Sequence, residues 1–241
     1  MTVRRGSIVR LVTIGLLVGA GATAVALFIH WLPTDASKEG GRIDFVVWFT
    51  VAICIGIFSL VAAVSIYSVI KFRAPPDDDS DGPPIHGHTG LEIAWTAVPA
   101  ILVTAIAIVS AIALAENGKW KANRLKVDVT AQQFAWHFAY PQYGGFTSHE
   151  LRLEEGRQVE LRLTALDVIH SFWVPEFRQK QDAVPGLVTH LGITPTKTGR
   201  HTVICTELCG LGHALMRSPV IVMKKADFER WARSQKKGTE S

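Results

Sequence analysis

Three stretches of the sequence are apolar and long enough to cross a lipid bilayer. They cover residues 10–33, 43–70 and 91–115, and the last two hold one charged residue each, Asp44 and Glu92. A membrane-spanning helix needs about 20 mostly apolar residues, so each stretch predicts such a helix. The rest of the chain consists of short segments that alternate apolar and polar residues, which predicts a separate polar domain.

Basic residues beside these stretches predict how the chain is oriented. Arg4, Arg5 and Arg10 lie at the start of the first stretch, and Lys71 and Arg73 follow the second. Lys and Arg accumulate on the cytoplasmic side of membrane proteins, so both groups are expected inside. We therefore expect a protein integral to the bacterial cell membrane, with its polar domain on the extracytoplasmic side.

The first stretch has two interpretations, a cleaved signal peptide or an additional transmembrane helix. A basic start before an apolar run is typical of a signal peptide, but the apolar region usually has about 7–15 residues. The run here is longer, and its one small-residue cleavage signal, Thr34–Ala36, is weak. Both interpretations leave the same topology for the rest of the chain.

Five segments of the polar domain alternate in the manner of half-buried β-strands. They are Leu125–Ala131, Val159–Ala165, Leu187–Ile193, Arg200–Cys205 and Pro219–Met223. Turn residues separate them, which predicts one antiparallel β-sandwich or barrel of about 100 residues.

These patterns together predict the domain organisation of the chain. The predicted ranges are 1–33 for the signal peptide or additional transmembrane helix, 42–72 for a transmembrane helix, 73–90 for a cytoplasmic loop rich in Pro, Gly and Asp, 91–116 for a transmembrane helix, 124–225 for the extracytoplasmic β-domain, and 226–241 for a polar tail.

The formal charge of +4 does not indicate a nucleic-acid-binding protein. Much of the basic excess lies at the two ends of the chain, and no basic stripe with interleaved aromatic residues occurs. We therefore expect no nucleic-acid partner.

The segment Ile204–Met216, ICTELCGLGHALM, holds two of the three cysteines of the chain, together with a histidine and a methionine. An oxidising compartment would allow a disulfide between Cys205 and Cys209. Zinc sites usually add a second distant Cys or His pair, and no second Cys pair exists. Copper sites combine Cys, His and a weak Met ligand, and His170, predicted at the end of a strand, offers a further imidazole.

The same segment resembles the dinuclear copper (CuA) motif C-x-E-x-C-G-x-x-H-x-x-M of cytochrome c oxidase subunit II. The resemblance continues through DVIHSFWVPEFRQKQDAVPG and LEIAWTAVP and covers roughly residues 40–225. It implies a membrane-anchored, all-β protein in which two or three N-terminal transmembrane helices precede a cupredoxin-type Greek-key β-sandwich. It also implies six copper ligands, namely the bridging thiolates of Cys205 and Cys209, the imidazoles of His170 and His213, and, as weak axial ligands, Met216 and the backbone carbonyl of Glu207.

The function implied by the resemblance is that of subunit II of a respiratory, proton-pumping cytochrome c oxidase. Such a subunit accepts electrons from a cytochrome c and passes them to the haem of subunit I, where oxygen is reduced to water. The implied partners are haem-copper subunit I, subunit III, a cytochrome c and the lipid bilayer. The alternative is a membrane-anchored copper-delivery or assembly protein, which would need Cys and Met ligands but not His170 or Glu92.

Two carboxylates have further roles by resemblance. Glu207 would bind a magnesium ion shared with subunit I, and its hard oxygen donors suit such an ion. Glu92 would lie at the entry of a proton channel. Read without the resemblance, Glu207 is a solvated glutamate and Glu92 is an interfacial charge beside a membrane span.

Aromatic residues in QQFAWHFAY resemble the segment through which electrons enter the family's copper centre. Phe134 stands where the family usually has the tryptophan that faces cytochrome c, and Trp136 corresponds to the next tryptophan. From residue 116 onward, 18 Lys and Arg outnumber 13 Asp and Glu. We therefore expect a donor that docks mainly by apolar contact around Phe134 and Trp136, or a tethered cytochrome.

Overall fold

The protein is described by a computed structural model that covers residues 5–78, 80–82, 84 and 86–239, with backbone alone for 236–239. Arg4, three positions of the predicted loop 73–90 and the last two residues of the predicted tail 226–241 lie outside the described residues. The chain divides into two compact units, one of Met1–Trp31 and Phe45–Ile112 and one of Leu32–Asp44 and Ala113–Ser241.

The first unit is built from apolar helices. Within the described residues, three helices are long and apolar enough to span a membrane: α1 (Arg5–Phe28), α2 (Lys38–Lys71) and α3 (Thr89–Asn117). Their large apolar side chains are mostly exposed, which is the arrangement expected where lipid replaces water as the solvent.

Small residues bring α1 against α2. A β-carbon placed on Gly19 would lie 3.1 Å from Oγ of Ser59, and one on Gly15 would lie 3.5 Å from Cβ of Ala63. Close approach at small residues is a common way for membrane helices to pack, because apolar burial drives little association in lipid. α1 therefore packs on α2 as membrane helices pack on each other.

The second unit is a β-sandwich followed by a helix. Its elements are β1 (Leu125–Gln132), β2 (Ala135–Ala139), β3 (Thr147–Ser148), β4 (Leu151–Glu154), β5 (Val159–Ala165), β6 (His170–Trp173), β7 (Lys180–Ala183), β8 (Thr189–Ile193), β9 (Gly199–Cys205), β10 (Arg217–Met223) and α4 (Lys225–Thr239). One sheet has the order β3-β2-β1-β5-β8 and the other β4-β10-β9-β6-β7.

The pairing is mixed rather than wholly antiparallel, which corrects the sequence-based expectation. β1 runs parallel to β5 and β10 runs parallel to β4, while the other pairs are antiparallel. In each parallel pair, the chain passes through strands of both sheets before it reaches the second strand. This long connection allows the second strand to run in the same direction as the first.

The core lies between the two sheets and follows from strand alternation. In β1 the side chains of Leu125, Val127, Val129 and Ala131 are fully buried, and the residues between them are partly exposed. The parallel register places Val127 beside Leu161 of β5, which is also fully buried. Successive side chains of a strand point to opposite faces, so this single face supplies the apolar layer.

Helix α4 closes one end of the core, where the sequence patterns predicted only a polar tail. Phe228 and Ala232 are fully buried, and the ring of Trp231 lies 5.1 Å from that of Tyr140 between centroids. The spacing of three and four residues puts these side chains on one face of the helix. The segment is polar on average but carries one apolar stripe.

The segment before α2 is part of the second unit and pairs with the sandwich. The backbone N–H of Lys38 donates to Thr194 O, and that of Thr196 donates to Ala36 O, both at 2.9 Å. Ser37 caps α2, since its Oγ accepts the Gly40 N–H at 3.0 Å. Residues 32–44 of the second unit, which include the first turn of α2, are therefore held on the sheet by backbone hydrogen bonds.

A buried carboxylate and an ion pair reinforce this attachment. Glu39 is 4% exposed, and its two oxygens accept the backbone N–H and the hydroxyl of Thr194, each at 2.8 Å. Arg178, whose φ of 65° is left-handed, donates through Nε to Asp44 Oδ1 at 2.7 Å. The sequence analysis assigned no such role to Glu39 or Asp44.

Candidate metal centre

The two cysteines of the motif lie together in the interior of the sandwich. Cys205 ends β9, and Cys209 follows in the loop that leads to β10. Their sulfur atoms are 3.9 Å apart, and both side chains are buried. A disulfide needs about 2.05 Å, whereas two sulfurs at about 2.3 Å from one tetrahedral ion lie about 3.8 Å apart. The separation therefore fits a shared metal and not a disulfide.

Each thiol is faced by one imidazole. His170 Nδ1 lies 3.8 Å from Cys205 Sγ, and His213 Nδ1 lies 3.6 Å from Cys209 Sγ. The pairing of β6 with β9 sets Phe172 opposite Cys205, which brings the start of β6 to the end of β9. His170 is the first residue of β6, whereas the sequence pattern predicted a strand end there.

Two weaker donors complete the set. Met216 Sδ lies 3.8 Å from Cys209 Sγ, and the backbone carbonyl oxygen of Glu207 lies 3.3 Å from Cys205 Sγ. Within this group the nitrogen of His170 and both sulfurs lie within 4.8 Å of one another and are buried. Two thiols, two imidazoles and a thioether form a soft to borderline donor set that suits copper.

Asp167 orients one of the imidazoles, and the sequence analysis did not identify it. His170 Nε2 donates to Asp167 Oδ1 at 2.8 Å, which fixes the tautomer whose Nδ1 carries no proton and faces the Cys205 thiol. Burial alone would raise the pKa of Asp167, but hydrogen bonds from His170 and from the backbone of Gln133 and Val168 lower that pKa to about 2. The sequence feature that could have identified Asp167 is its position three residues before His170.

The Cys209 thiol keeps its proton at neutral pH in the absence of metal. Burial, together with the neighbouring Cys205, raises the pKa of the Cys209 thiol to about 11. Metal ions bind cysteine as the thiolate, so binding must displace the proton. A soft metal ion, which binds sulfur strongly, can displace this proton.

Phe134, in the turn between β1 and β2, and Trp136, in β2, lie against the donor set. Trp136 is fully buried, and its ring lies edge-on to that of His170 with centroids 6.2 Å apart. Phe134 is 39% exposed, and its ring covers the loop between Cys209 and His213. A β-carbon placed on Gly212 would lie 2.5 Å from Cγ of Phe134.

The surface around the ligand loop is apolar, which the sequence analysis did not single out. Leu208, Leu211 and Leu215 alternate with the ligands and are among the most exposed large apolar side chains of the described residues. Leu166, Val168 and Ile169, which precede His170, are also exposed. Apolar patches of this kind mark surfaces where a partner binds.

The two predicted functional carboxylates, Glu207 and Glu92, both have exposed side chains. The side chain of Glu207 is exposed, although its backbone carbonyl faces Cys205. Glu92 lies in the first turn of α3 and is exposed. Its Oε1 accepts the His88 N–H at 3.1 Å, and His88 Nδ1 accepts the Leu91 N–H at 3.2 Å. Glu92 and His88 therefore cap the start of α3.

Sequence comparisons identify the same two parts of the chain. Residues 147–225 match the profile of cytochrome c oxidase subunit II, periplasmic domain, and residues 24–112 match that of cytochrome c oxidase subunit II, transmembrane domain.

Individual relatives extend over most of the chain. Cytochrome c oxidase subunit 2 of a Synechocystis species is 33% identical, with 90% of this chain and 81% of the relative covered. The subunit 2 of Thermostichus vulcanus is 34% identical, with 84% and 77% covered. The solved periplasmic domain of subunit II of cytochrome oxidase from Bradyrhizobium japonicum is 30% identical, with a TM-score of 0.47, and covers 49% of this chain and 97% of that domain.

Proposed function

The chain belongs to the cytochrome c oxidase subunit II family, and we propose that it receives electrons from a cytochrome c through the buried donor set described above. The protein is a membrane-anchored subunit of a respiratory oxidase, with its β-sandwich on the extracytoplasmic side. The observation that carries the proposal is the 3.9 Å separation of two buried thiols, each faced by the Nδ1 of one imidazole.

Six residues would hold the metal in this proposal. Cys205, Cys209, His170 and His213 would hold two copper ions, and Met216 and the Glu207 carbonyl would be weaker ligands. When bound, a dinuclear copper centre supplies a one-electron carrier whose unpaired electron is shared by both ions. The protein's contribution is to hold the donors in one geometry for both oxidation states.

Burial and hydrogen bonding keep that geometry rigid. His170 is fully buried, and its far nitrogen is held by Asp167. On the other side of the loop, the side-chain amide of Gln133 donates to the Cys209 carbonyl. The His170 ring cannot rotate away without breaking its bond to Asp167, and the Gln133 bond holds the backbone of Cys209. The donors would therefore keep one arrangement when an electron is gained or lost.

Phe134 supports the proposed site of electron entry. Its exposed ring lies on the Gly210–Gly212 stretch between two ligands, within the apolar surface formed by Leu208, Leu211 and Leu215. A donor that covers this surface would exclude water from the ligand loop and bring its haem close to Cys209 and His213. Trp136 is buried against His170. It would pack against this ligand from the interior of the sandwich and provide an electronic contact to it.

The magnesium and proton roles also remain proposals. Two groups of Glu207 lie in different surroundings. Its backbone carbonyl faces Cys205, whereas its side-chain carboxylate is exposed. That carboxylate is free to bind a hard cation such as magnesium at a junction with subunit I. Glu92, exposed at the start of α3, would lie at a proton entry into subunit I. Subunit III would complete the membrane assembly.

A copper-delivery protein is the weaker alternative. Transfer of copper to another protein requires ligands that the recipient can reach, and both Cys205 and His170 are buried. The hydrogen bond from His170 to Asp167 further favours a resident ion.

Turnover of the assembled oxidase tests the proposal. With ferrocytochrome c as donor, oxygen uptake should be lost in Cys209→Ser, because a serine oxygen is a poor ligand for copper. Cys54→Ser is the matched control, since Cys54 is an exposed thiol of α2, and it should retain activity. Equal turnover in the wild type and Cys209→Ser would contradict the proposed path.

A further inference from the structure

Two histidines face each other on the outer surface of the sandwich, apart from the buried donors. His137 lies in β2, and His149 directly follows β3. The antiparallel pairing of β2 with β3 sets Phe138 opposite Ser148, so the next position along places His149 opposite His137. The two ring centroids are 4.8 Å apart, with the planes tilted by 60°.

The orientation of His137 follows from strand alternation. Its neighbour Trp136 points into the core and contacts His170, so the His137 side chain lies on the opposite face of the sheet. His137 is half-buried and His149 is exposed. The pair is therefore reachable from solvent without disturbing the proposed copper ligands.

The pair lacks the acidic partners that histidines of this protein have elsewhere. His170, His190 and His201 each lie within 4.0 Å of a carboxylate, whereas no such contact involves His137 or His149 among the described residues. Glu150, next in the chain, is paired with Arg152. Burial and, second, the neighbouring His149 lower the pKa of His137, which favours the neutral form of the His137 imidazole that metals bind.

A polar side chain on β1 completes a three-donor cluster. The side-chain amide of Gln132 lies 3.2 Å from His137 Nε2, and the amide oxygen reaches the same position when the amide plane is turned over. Two ligand atoms at about 2.0–2.1 Å from a tetrahedral zinc ion lie about 3.3 Å apart, and the centroids of two imidazoles bound to it lie about 5 Å apart. The distance of 3.2 Å between the Gln132 amide and His137 Nε2 and the centroid distance of 4.8 Å between His137 and His149 are close to these two values.

We propose that His137 and His149, with the Gln132 amide oxygen as a third donor, bind a divalent late transition-metal ion such as zinc on the outer face of the sheet. A solvent molecule would fill the fourth position. The donor set of two imidazoles selects against magnesium and calcium, which prefer oxygen ligands. The site is separate from the buried thiol cluster and uses none of its residues.

Zinc titration of the copper-loaded, full-length protein in detergent tests the proposal by isothermal calorimetry. The wild type should bind one zinc ion at this site, and magnesium should not replace it. His137→Ala and His149→Ala should each weaken zinc binding at least on the order of tenfold, since even groups that only hydrogen-bond to a ligand have effects of that size. Gln132→Ala should weaken it less.

His190→Ala is the matched control, because His190 lies on β8 of the same sheet and is paired with Glu160. It should leave zinc binding unchanged, and the absorption of the copper centre should be the same in all variants. The proposal is overturned if the wild type binds no zinc, or if the His137→Ala/His149→Ala double variant binds it with wild-type stoichiometry and affinity. Equal affinity in Gln132→Ala would remove the amide from the ligand set.

Discussion

The ring of Phe134 lies so close to Gly212 that no side chain fits between them. A β-carbon on Gly212 would be 2.5 Å from two carbons of the ring, well inside van der Waals contact. The contact joins the turn after β1 to the loop that carries Cys209 and His213. The residue proposed for electron entry therefore also holds the ligand loop in place.

This contact predicts a non-additive pair of substitutions. Gly212→Ala should displace either the ring or the loop at a cost of about 1–3 kcal/mol, as overpacking commonly does, and it should reduce copper content and shift the visible absorption of the centre. Removing the ring with Phe134→Ala should make Gly212→Ala much milder. Additive effects on copper content in the double variant would show that the two residues do not compete for space.

The apolar surface around the ligand loop predicts weak electrostatic steering. Reduction of the copper centre by a basic cytochrome c should have a rate that depends little on salt, because charge pairs contribute little to the encounter. Stopped-flow reduction over a range of ionic strengths measures this, and Leu211→Ala should slow association at every salt concentration.

A steep fall of that rate with salt would contradict this account of docking. It would mean that carboxylates such as Glu150, Asp167 and Glu207 act together as an acidic patch for the donor. Phe134→Trp provides the companion measurement, since a tryptophan keeps an aromatic ring at the same place and should preserve the rate.

Glu92 has two separable roles, helix capping and proton entry. Glu92→Gln keeps an oxygen that can accept the His88 N–H but cannot ionise, so it should slow oxidase turnover without changing reduction of the copper centre. His88→Ala removes a cap of α3 and leaves the carboxylate, so it should affect stability more than turnover. Normal turnover in Glu92→Gln would leave capping as the role of Glu92.

The buried carboxylate of Glu39 predicts that the segment before α2 stabilises the sandwich. Glu39→Ala leaves the N–H and hydroxyl of Thr194 without their acceptor, which costs about 1–3 kcal/mol when such groups stay buried. Thermal unfolding followed by near-ultraviolet circular dichroism should show a lower midpoint. Glu155→Ala, which removes only a surface ion pair with Lys224, is the control and should change the midpoint little.

Local pattern was enough to predict much of the fold but not the arrangement of strands. The alternation in Val159–Ala165 predicts β5 with its observed bounds, and Leu125 is the predicted and observed start of β1. Strands such as β3, β4 and β7 were missed because two to four residues are too few to show a period. The parallel pairs were missed because alternation identifies a buried face but not the neighbouring strand.

The proposed ligands were chosen from the motif, whereas the groups that orient them depend on tertiary structure. The spacing of Cys205, Cys209, His213 and Met216 is visible in the sequence, since all four lie between the last residue of β9 and the residue before β10. The contact of Glu39 with Thr194 joins residues 155 positions apart, and no local pattern encodes it. The contact of Phe134 with Gly212 likewise depends on how the turn between β1 and β2 packs over the loop that holds Cys209 and His213.

The most direct test of the proposed centre is copper content combined with electron paramagnetic resonance of the full-length protein. The account predicts two copper ions per chain and a spectrum in which one unpaired electron is shared by both, present in the wild type and in Cys54→Ser. Cys209→Ser should lose both features while the sandwich stays folded. Two copper ions with a delocalised spectrum in Cys209→Ser would contradict the assignment of bridging thiolates, as would a single copper ion in the wild type.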